Sequence, residues 1–213
     1  MSALEAQRVF YRERVPEQFN ASLANQIELA ENDPDAKRLL EAMRAVRASV
    51  RIEVTGHEET IVHRLEIEDG VMQCHDDVDR APFLILQHPL DQFPAIARQC
   101  GASVLGFLGS MTGLGEDMKL TAQRVRSLRE LHGSLLFEVE GNAGFSLVAR
   151  FGVEAGVADR DPPDASIRLR PEVFEALKSG ELDAQDAFFD EKIDVDGDME
   201  IAIGMALAAL AAD

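Results

Sequence analysis

One segment decides the fold of the C-terminal half: Ser179-Gly180-Glu181-Leu182-Asp183-Ala184-Gln185-Asp186-Ala187-Phe188-Phe189, followed by Lys192-Ile193-Asp194-Val195-Asp196-Gly197-Asp198-Met199. Gly180 stands where a glycine caps the C-terminus of a helix. Ile193 and Val195 alternate with aspartates, as in a short strand. Asp198 can cap the free backbone N–H groups of a helix that starts at Met199. The segment therefore predicts a helix, a helical turn, a short strand and a closing helix, in that order.

The predicted closing helix, from about Met199 to Leu210, has almost no polar face. A helix that is apolar all round is buried on most sides, or it covers apolar surface that something else sometimes occupies. Met199 and Met205 suit a ligand of variable shape, because thioether side chains adapt to what they contact. An ordinary core helix or a dimer helix is the alternative at this point.

Upstream of that segment the apolar period changes to two, which predicts strands. Residues 135–139 and 145–151 form a predicted hairpin, residues 165–169 add a strand, and Pro171 opens a helix. A helix from about residue 116 to residue 131 precedes them. This half therefore combines an antiparallel meander with helices on either side of it in sequence.

The first half has the same order of elements. Residues 50–54 and 61–67 predict a hairpin, a strand follows near residues 82–86, and a helix runs from about Pro89 to Gln99. Before them the apolar residues recur at helical spacing. Asp33 is placed to cap a helix that begins at the next residue, a proline.

The two halves can be compared position by position. Val54-Thr55-Gly56 and Val139-Glu140-Gly141 lie 85 positions apart, and Pro89 and Pro171 lie 82 apart. A nearly constant offset predicts an internal duplication, with chance similarity of two α+β segments as the alternative. We therefore divide the chain into a helical lead-in (1–34), a first unit (35–118) and a second unit (119–213).

The segment from Ser179 to Met199 resembles the C-terminal signature of the sterol carrier protein type-2 family, and residues 120–213 have the whole element order of that family. The resemblance implies an α+β fold with a mostly antiparallel five-stranded sheet covered by helices. It also implies an apolar tunnel for an acyl chain or sterol, bordered by the closing helix. The first unit would be a degenerate copy, since residues 102–115 stand where the signature should be.

The tunnel that the resemblance implies would be lined by apolar side chains of the second unit. By alternation and helical position, the candidates are Phe137, Phe145, Leu147, Phe151, Ile167, Phe174, Leu177, Phe188, Phe189, Met199, Ile203, Met205 and Leu207. An apolar chain is driven into such a site by about 25 cal/mol per Å² of buried area, so few polar contacts are needed. Most of these residues would be core, and a minority would touch ligand.

Charge and cysteine content limit the classes of function. The 213 residues carry a net charge of −18, which disfavours nucleic acid and strong adsorption to an anionic membrane and leaves at most transient membrane contact. The two cysteines are isolated, which favours a reducing compartment. The N-terminus lacks a signal peptide, and the weakly polar stretch 102–115 is too short to span a bilayer. We expect a cytoplasmic protein.

A search for catalytic or metal-binding residues finds no motif. His63 falls on the apolar side of its strand, where a histidine with satisfied hydrogen bonds is the simpler interpretation than a catalytic one. The run from Asp194 to Asp198 imitates the start of a calcium loop but lacks glycine and glutamate at the required later positions. The glycines of residues 101–115 match no nucleotide-binding pattern. We therefore expect no metal, no cofactor and no enzymatic activity.

Three functions remain open on this sequence. The first is a non-catalytic protein that binds, shields or transfers a fatty acyl, isoprenoid or sterol-like molecule. The second is an enzyme that uses the same apolar cavity, which would need convergent polar groups such as His63 or a buried group with a strongly shifted pKa. The third is an interaction module, including a homodimer, built on the apolar closing helix.

Overall fold

A computed structural model describes residues 2–56, 58–100, 119–141, 144–152 and 162–210; of Cys100, Ala184 and residues 205–210 it describes the backbone alone. The glycine-rich stretch 101–115 and the predicted helix start near residue 116 lie outside the described residues.

The chain begins with helices that run into one another. They are α1 (Ala3–Val9), a π-helical turn (Phe10–Arg14), α2 (Val15–Leu29) and α3 (Pro34–Arg44). Asp33 caps α3, as predicted, because its side chain accepts a hydrogen bond from the backbone N–H of Asp35 at 2.9 Å. The π-helical turn widens the helix by one residue and turns Phe10 and Tyr11 inward, where both are buried.

The first unit continues with a hairpin, two further strands and a helix. Its elements are β1 (Ala48–Thr55), β2 (Ile61–Glu68), β3 (Val71–His75), β4 (Leu84–Pro89), a 3-10 turn (Leu90–Gln92) and α4 (Phe93–Cys100). The second unit contains α5 (Ala122–Glu130), β5 (Gly133–Val139), β6 (Phe145–Phe151), β7 (Ala165–Leu169), α6 (Pro171–Ser179), α7 (Ala184–Phe189), β8 (Ile193–Gly197) and α8 (Met199–Leu210).

The described strands form one eight-stranded mixed sheet in the order β3-β2-β1-β4-β6-β5-β7-β8. The expectation of a mostly antiparallel five-stranded sheet is therefore wrong. The two units share one sheet because β4 pairs antiparallel with β6, from Leu84 opposite Phe151 to Gln87 opposite Val148. The sheet is mixed because β4 returns across its hairpin to pair parallel with β1, and β7 pairs parallel with β5 in the same way.

This topology repeats within the sheet. Each unit has an antiparallel hairpin whose first strand pairs with a parallel strand on its other side, followed by a helix. The positions match in register: Val54 lies between Ile61 and His88, and Val139 lies between Phe145 and Leu169. Residues 153–161, between β6 and β7, lie outside the described residues. Common ancestry of the two units, and the domain boundaries drawn from it, stay predictions.

One face of the sheet carries the apolar core. Alternate strand residues are buried beneath the helices, and the opposite face carries charged side chains such as Arg51 and Glu53, which are 2.9 Å apart. At one edge Asn20 of α2 acts as a substitute strand partner. Its amide donates to the carbonyl of Met72 at 3.0 Å and accepts from the N–H of Met72 at 2.9 Å. This contact fixes the lead-in helices over the first unit.

Candidate functional site

The apolar interior of the second unit is built around three phenylalanine rings. Phe137 of β5, Phe145 of β6 and Phe174 of α6 lie with ring centroids 5.7 to 6.1 Å apart, and all three are buried. Two of the three contacts have edge-to-face geometry, which aromatic rings prefer. The alternating pattern of the hairpin points Phe137 and Phe145 to the same face, and α6 places Phe174 above them.

The closing helix α8 is fixed to the sheet by the segment that decides the fold. Asp198 caps α8, as predicted, because its carboxylate accepts from the N–H of Glu200 at 2.9 Å. The N–H of Asp198 donates to the carbonyl of Asp164 at 2.8 Å, and the Asp164 carboxylate accepts from both the N–H and the hydroxyl of Ser134 at 2.8 Å. The start of α8 is therefore held by β5 and β7, and Ile201 packs into the core against Gly133.

The second unit also exposes four large apolar side chains on its last two helices. We define the apolar edge as Phe188, Phe189, Met199 and Ile203, whose exposed fractions are 44%, 70%, 40% and 50%. The rings of Phe188 and Phe189 lie 6.0 Å apart on α7. The other two residues lie on α8, and β8 joins the two helices in sequence. Large side chains of this kind gain free energy when an apolar molecule covers them.

The predicted tunnel residues whose side chains are described divide into three groups. Six are buried in the core: Phe137, Phe145, Leu147, Phe151, Phe174 and Leu177. Ile167 is half-buried against that core, and the four residues of the apolar edge are exposed. The side chains of Met205 and Leu207 lie outside the described residues. The assignment of these residues to a ligand stays a prediction.

The first unit contains a buried polar cluster, which we define as Gln7, Tyr11, His63 and His88. The Tyr11 hydroxyl and His88 Nε2 lie 2.7 Å apart, and His88 Nδ1 donates to the carbonyl of Pro89 at 2.9 Å. His88 Nε2 therefore accepts a hydrogen bond from the Tyr11 hydroxyl. His63 Nε2 and Gln7 Oε1 lie 2.6 Å apart, and the Tyr11 ring lies 5.3 Å from the His63 ring. All four residues are at most 4% exposed.

Burial sets the charge state of this cluster. It lowers the pKa of His63 from 6.5 to about 4, chiefly by desolvation, with the positive charges of Arg12 and Arg8 and the neighbouring His88 adding to the effect. Desolvation also lowers the pKa of His88, although its hydrogen bond to the Pro89 carbonyl opposes the shift. Both imidazoles are therefore neutral at pH 7 and can each accept one hydrogen bond and donate one.

The sequence analysis identified only His63 of this cluster as a residue of interest. His88 could have been found, because it occupies the apolar side of β4 at the position where β7 carries Leu169. Gln7 and Tyr11 gave no signal, since they lie in the lead-in, on α1 and the π-helical turn, far in sequence from the strand residues that they contact. Neither cysteine belongs to this cluster as the structure describes it. Cys74 is a free, half-buried thiol whose pKa is raised by burial, and the Cys100 side chain lies outside the described residues.

The described part of the chain offers neither a metal site nor a membrane span. No group of three or more histidine, cysteine, aspartate or glutamate side chains is arranged there to hold a metal ion. None of the described helices combines the length and apolar character needed to cross a membrane.

Comparison with known proteins gives one family and several solved structures. The model of the SCP-2 sterol transfer family matches residues 116–211, so the resemblance seen in the second unit is confirmed. No curated protein sequence matches the chain. Sterol carrier protein 2 like 2 from Aedes aegypti is 18% identical, over 54% of this chain and 92% of that one, with a TM-score of 0.30. Sterol carrier protein 2 from Yarrowia lipolytica is 23% identical, over 41% and 77%, with a TM-score of 0.29.

Proposed function

We propose that the second unit, whose residues 116–211 match the SCP-2 sterol transfer family, binds a hydrophobic small molecule and carries it without chemical change. The observation that carries this proposal is the family match over a unit that combines an aromatic interior with the exposed apolar edge on α7 and α8. The ligand classes that fit are a fatty acyl chain, an isoprenoid or a sterol-like lipid. Such a ligand would lie between the sheet and helices α6 to α8 and be held mainly by apolar burial.

The apolar edge is our proposed entry for the ligand. An aromatic residue as exposed as Phe189 can touch a lipid surface, and the buried rings of the second unit would then receive the apolar chain. The net charge of −18 opposes adsorption to anionic lipid, so the contact would be brief and would favour zwitterionic membranes. We also propose a cytoplasmic location, because two isolated cysteines suit a reducing compartment.

The direct test is native mass spectrometry, with organic extraction, of the full chain purified without added lipid. A stoichiometric hydrophobic molecule in the extract would support carriage and identify its class. If the purified chain contains no bound hydrophobic molecule and also fails to bind fluorescent fatty acyl and sterol probes, the proposal is overturned.

We expect Phe189→Asp combined with Ile203→Asp to slow uptake of a fluorescent fatty acid from phosphatidylcholine vesicles by about tenfold. Burying one large apolar side chain contributes about 1.5 to 3 kcal/mol, and 1.4 kcal/mol corresponds to a factor of ten. Stopped-flow fluorescence measures the rate.

The matched control for this double variant is Leu29→Asp. Leu29 is a 60% exposed apolar residue at the end of α2, in the lead-in, so it adds the same kind of charge away from the apolar edge. Uptake at the wild-type rate by the control and slow uptake by the double variant are expected. Equal rates for all three proteins would remove the apolar edge from the proposal.

A further inference from the structure

The strand β8 ends the sheet on the side of the second unit, and among the described residues no strand lies on its outer side. In an antiparallel pair, alternate residues direct their N–H and C=O groups to the neighbouring strand. The N–H of Asp198 donates to the residue before β7 at 2.8 Å, so Asp196 and Asp194, which are in step with it, also face β7. Ile193 and Val195 therefore direct their backbone groups outward.

The two edges of the sheet differ in how these outward groups are satisfied. At the β3 edge, the Asn20 side chain bonds both the N–H and the carbonyl of Met72. At the β8 edge, the Gly197 N–H donates to the Asp196 carboxylate at 3.0 Å, but no hydrogen bond to the outward groups of Val195 is present within the described chain. A strand edge in this state is a template for pairing with another extended segment.

The side chains of β8 restrict what can pair there. Asp194 and Asp196 are both exposed on the charged face of the sheet, and Asp194 lies 3.8 Å from Arg168 of β7. Residues 179–200 contain nine acidic side chains and one lysine. The charge on this edge therefore favours a basic segment as the added strand.

Neither a second copy of β8 nor another segment of this chain has the required charge. Antiparallel pairing of two copies about Val195 would set Asp194 opposite Asp196, and like charges directly opposite one another are destabilising. Residues 101–118 and 153–161, which lie outside the described residues, together contain one arginine and no lysine. The occupant that remains is a segment of another protein.

We propose that β8 binds an extended basic segment of a partner protein, which adds to the eight-stranded sheet as a further strand. Lysine or arginine at alternate positions would lie opposite Asp194 and Asp196. The apolar residues between them would lie on the same side as Ile193 and Val195, which pack against the core. This docking surface does not depend on lipid carriage by the second unit.

Fluorescence anisotropy of a labelled peptide that alternates lysine with valine tests the proposal on the full chain. We expect saturable binding that weakens as salt is added. The same peptide N-methylated at its valines keeps its charge but loses the N–H donors that would face β8. We expect it to bind the wild-type protein at least tenfold more weakly.

Val195→Pro removes the outward donor of β8 from the protein. Proline is tolerated on an edge strand where the N–H faces solvent, so the ladder with β7 is retained. We expect this variant to bind the lysine–valine peptide about tenfold more weakly than the wild type. The comparison of the two peptides on the wild-type protein keeps the proposal testable if Val195→Pro is unstable.

The charge of the edge is tested by Asp194→Asn combined with Asp196→Asn, which keeps an oxygen to accept from the Gly197 N–H. We expect about three- to tenfold weaker binding with less dependence on salt, because two exposed ion pairs are lost. The matched control is Glu28→Gln combined with Glu41→Gln, which makes the same change of charge at exposed positions of α2 and α3. The control should bind like the wild type.

Three results would overturn the proposal and leave lipid carriage standing. Equal binding of the two peptides, or equal losses in the two double variants, would mean that charge alone attracts the peptide. A wild-type protein that binds neither peptide would show that the edge takes no basic strand. A dimer that Val195→Pro dissociates, measured by sedimentation, would assign the edge to a second copy of the chain.

Discussion

Gly197→Ala is expected to lower the free energy of unfolding by about 3 kcal/mol, whereas Gly180→Ala is expected to cost about 1 kcal/mol. Both glycines have positive φ angles, of 87° and 73°. They differ in their surroundings: a Cβ on Gly197 would overlap the Asp164 carbonyl and lie 3.0 Å from Ala165 Cα, while a Cβ on Gly180 meets nothing within 4 Å. Backbone atoms cannot move aside as a side-chain terminus can, so overlap adds to conformational strain only at Gly197.

The position of Gly197 determines what this overlap would break. Gly197 pairs with Ala165 in the ladder between β7 and β8, and the Asp164 carbonyl accepts from the N–H that starts α8. Displacing Asp164 would loosen the edge strand and the closing helix together. Urea denaturation of the two variants measures the difference in unfolding free energy. Equal losses would mean that the close approach of these two backbone segments is not maintained in solution.

Local sequence patterns predicted the individual elements well. The caps at Asp33 and Asp198, the glycine at the end of α6 and both hairpins are present where the sequence placed them. These features depend on residues a few positions apart, whose hydrogen-bonding capacity and φ preferences act locally. The closing helix has the predicted bounds, Met199–Leu210, for the same reason.

The joining of the two units was not predictable from such patterns. Whether β4 pairs with β6 depends on which strand edges remain free after each unit has formed, and periodicity carries no information about the partner. The alternating apolar residues Leu84 and Leu86 indicate that β4 is a strand, but they would be equally suitable beside any neighbouring strand. The predicted sheet was therefore five-stranded and mostly antiparallel, whereas the two units share one eight-stranded mixed sheet.

The polar cluster was missed for a different reason. Gln7 lies 56 positions before His63, and Tyr11 lies 77 positions before His88. A glutamine in an amphipathic helix normally faces solvent, so nothing in its own segment indicates burial. The two histidines stand on the apolar side of their strands, and that departure from the pattern was the one signal in the sequence.

The second large effect concerns pH. We expect the protein to lose about 3 kcal/mol of unfolding free energy as the pH falls from 6.5 to 4, because of His63 alone. In the unfolded chain the imidazole takes up a proton near its ordinary pKa of 6.5, whereas in the folded chain the pKa is about 4. Between these values the unfolded state binds more protons, so acid favours unfolding. The stabilisation is complete above pH 6.5 and is lost as the pH approaches 4.

Other charged or titrating groups near the cluster also affect how the free energy of unfolding depends on pH. The positive charges of Arg8 and Arg12, from the helices above His63, oppose its protonation. His88 on β4 also has a lowered pKa and adds a loss of the same sign. Asp76, which pairs with Arg12 at 2.8 Å, has its pKa lowered further below 3.8, so its loss falls at more acid pH. Among the described groups whose pKa is shifted, His63 and His88 are therefore the ones that contribute to the slope between pH 6.5 and 4.

Replacing His63 isolates its share of the slope. His63→Gln is expected to be less stable than the wild type at pH 7.5 yet to lose about 3 kcal/mol less on going to pH 4, because a glutamine does not titrate. His132→Gln is the control, since His132 is an exposed imidazole that should leave the wild-type slope intact. Urea denaturation at a series of pH values gives each slope. If His63→Gln keeps the wild-type slope, then His63 is protonated or solvated in the folded protein, and burial does not lower its pKa.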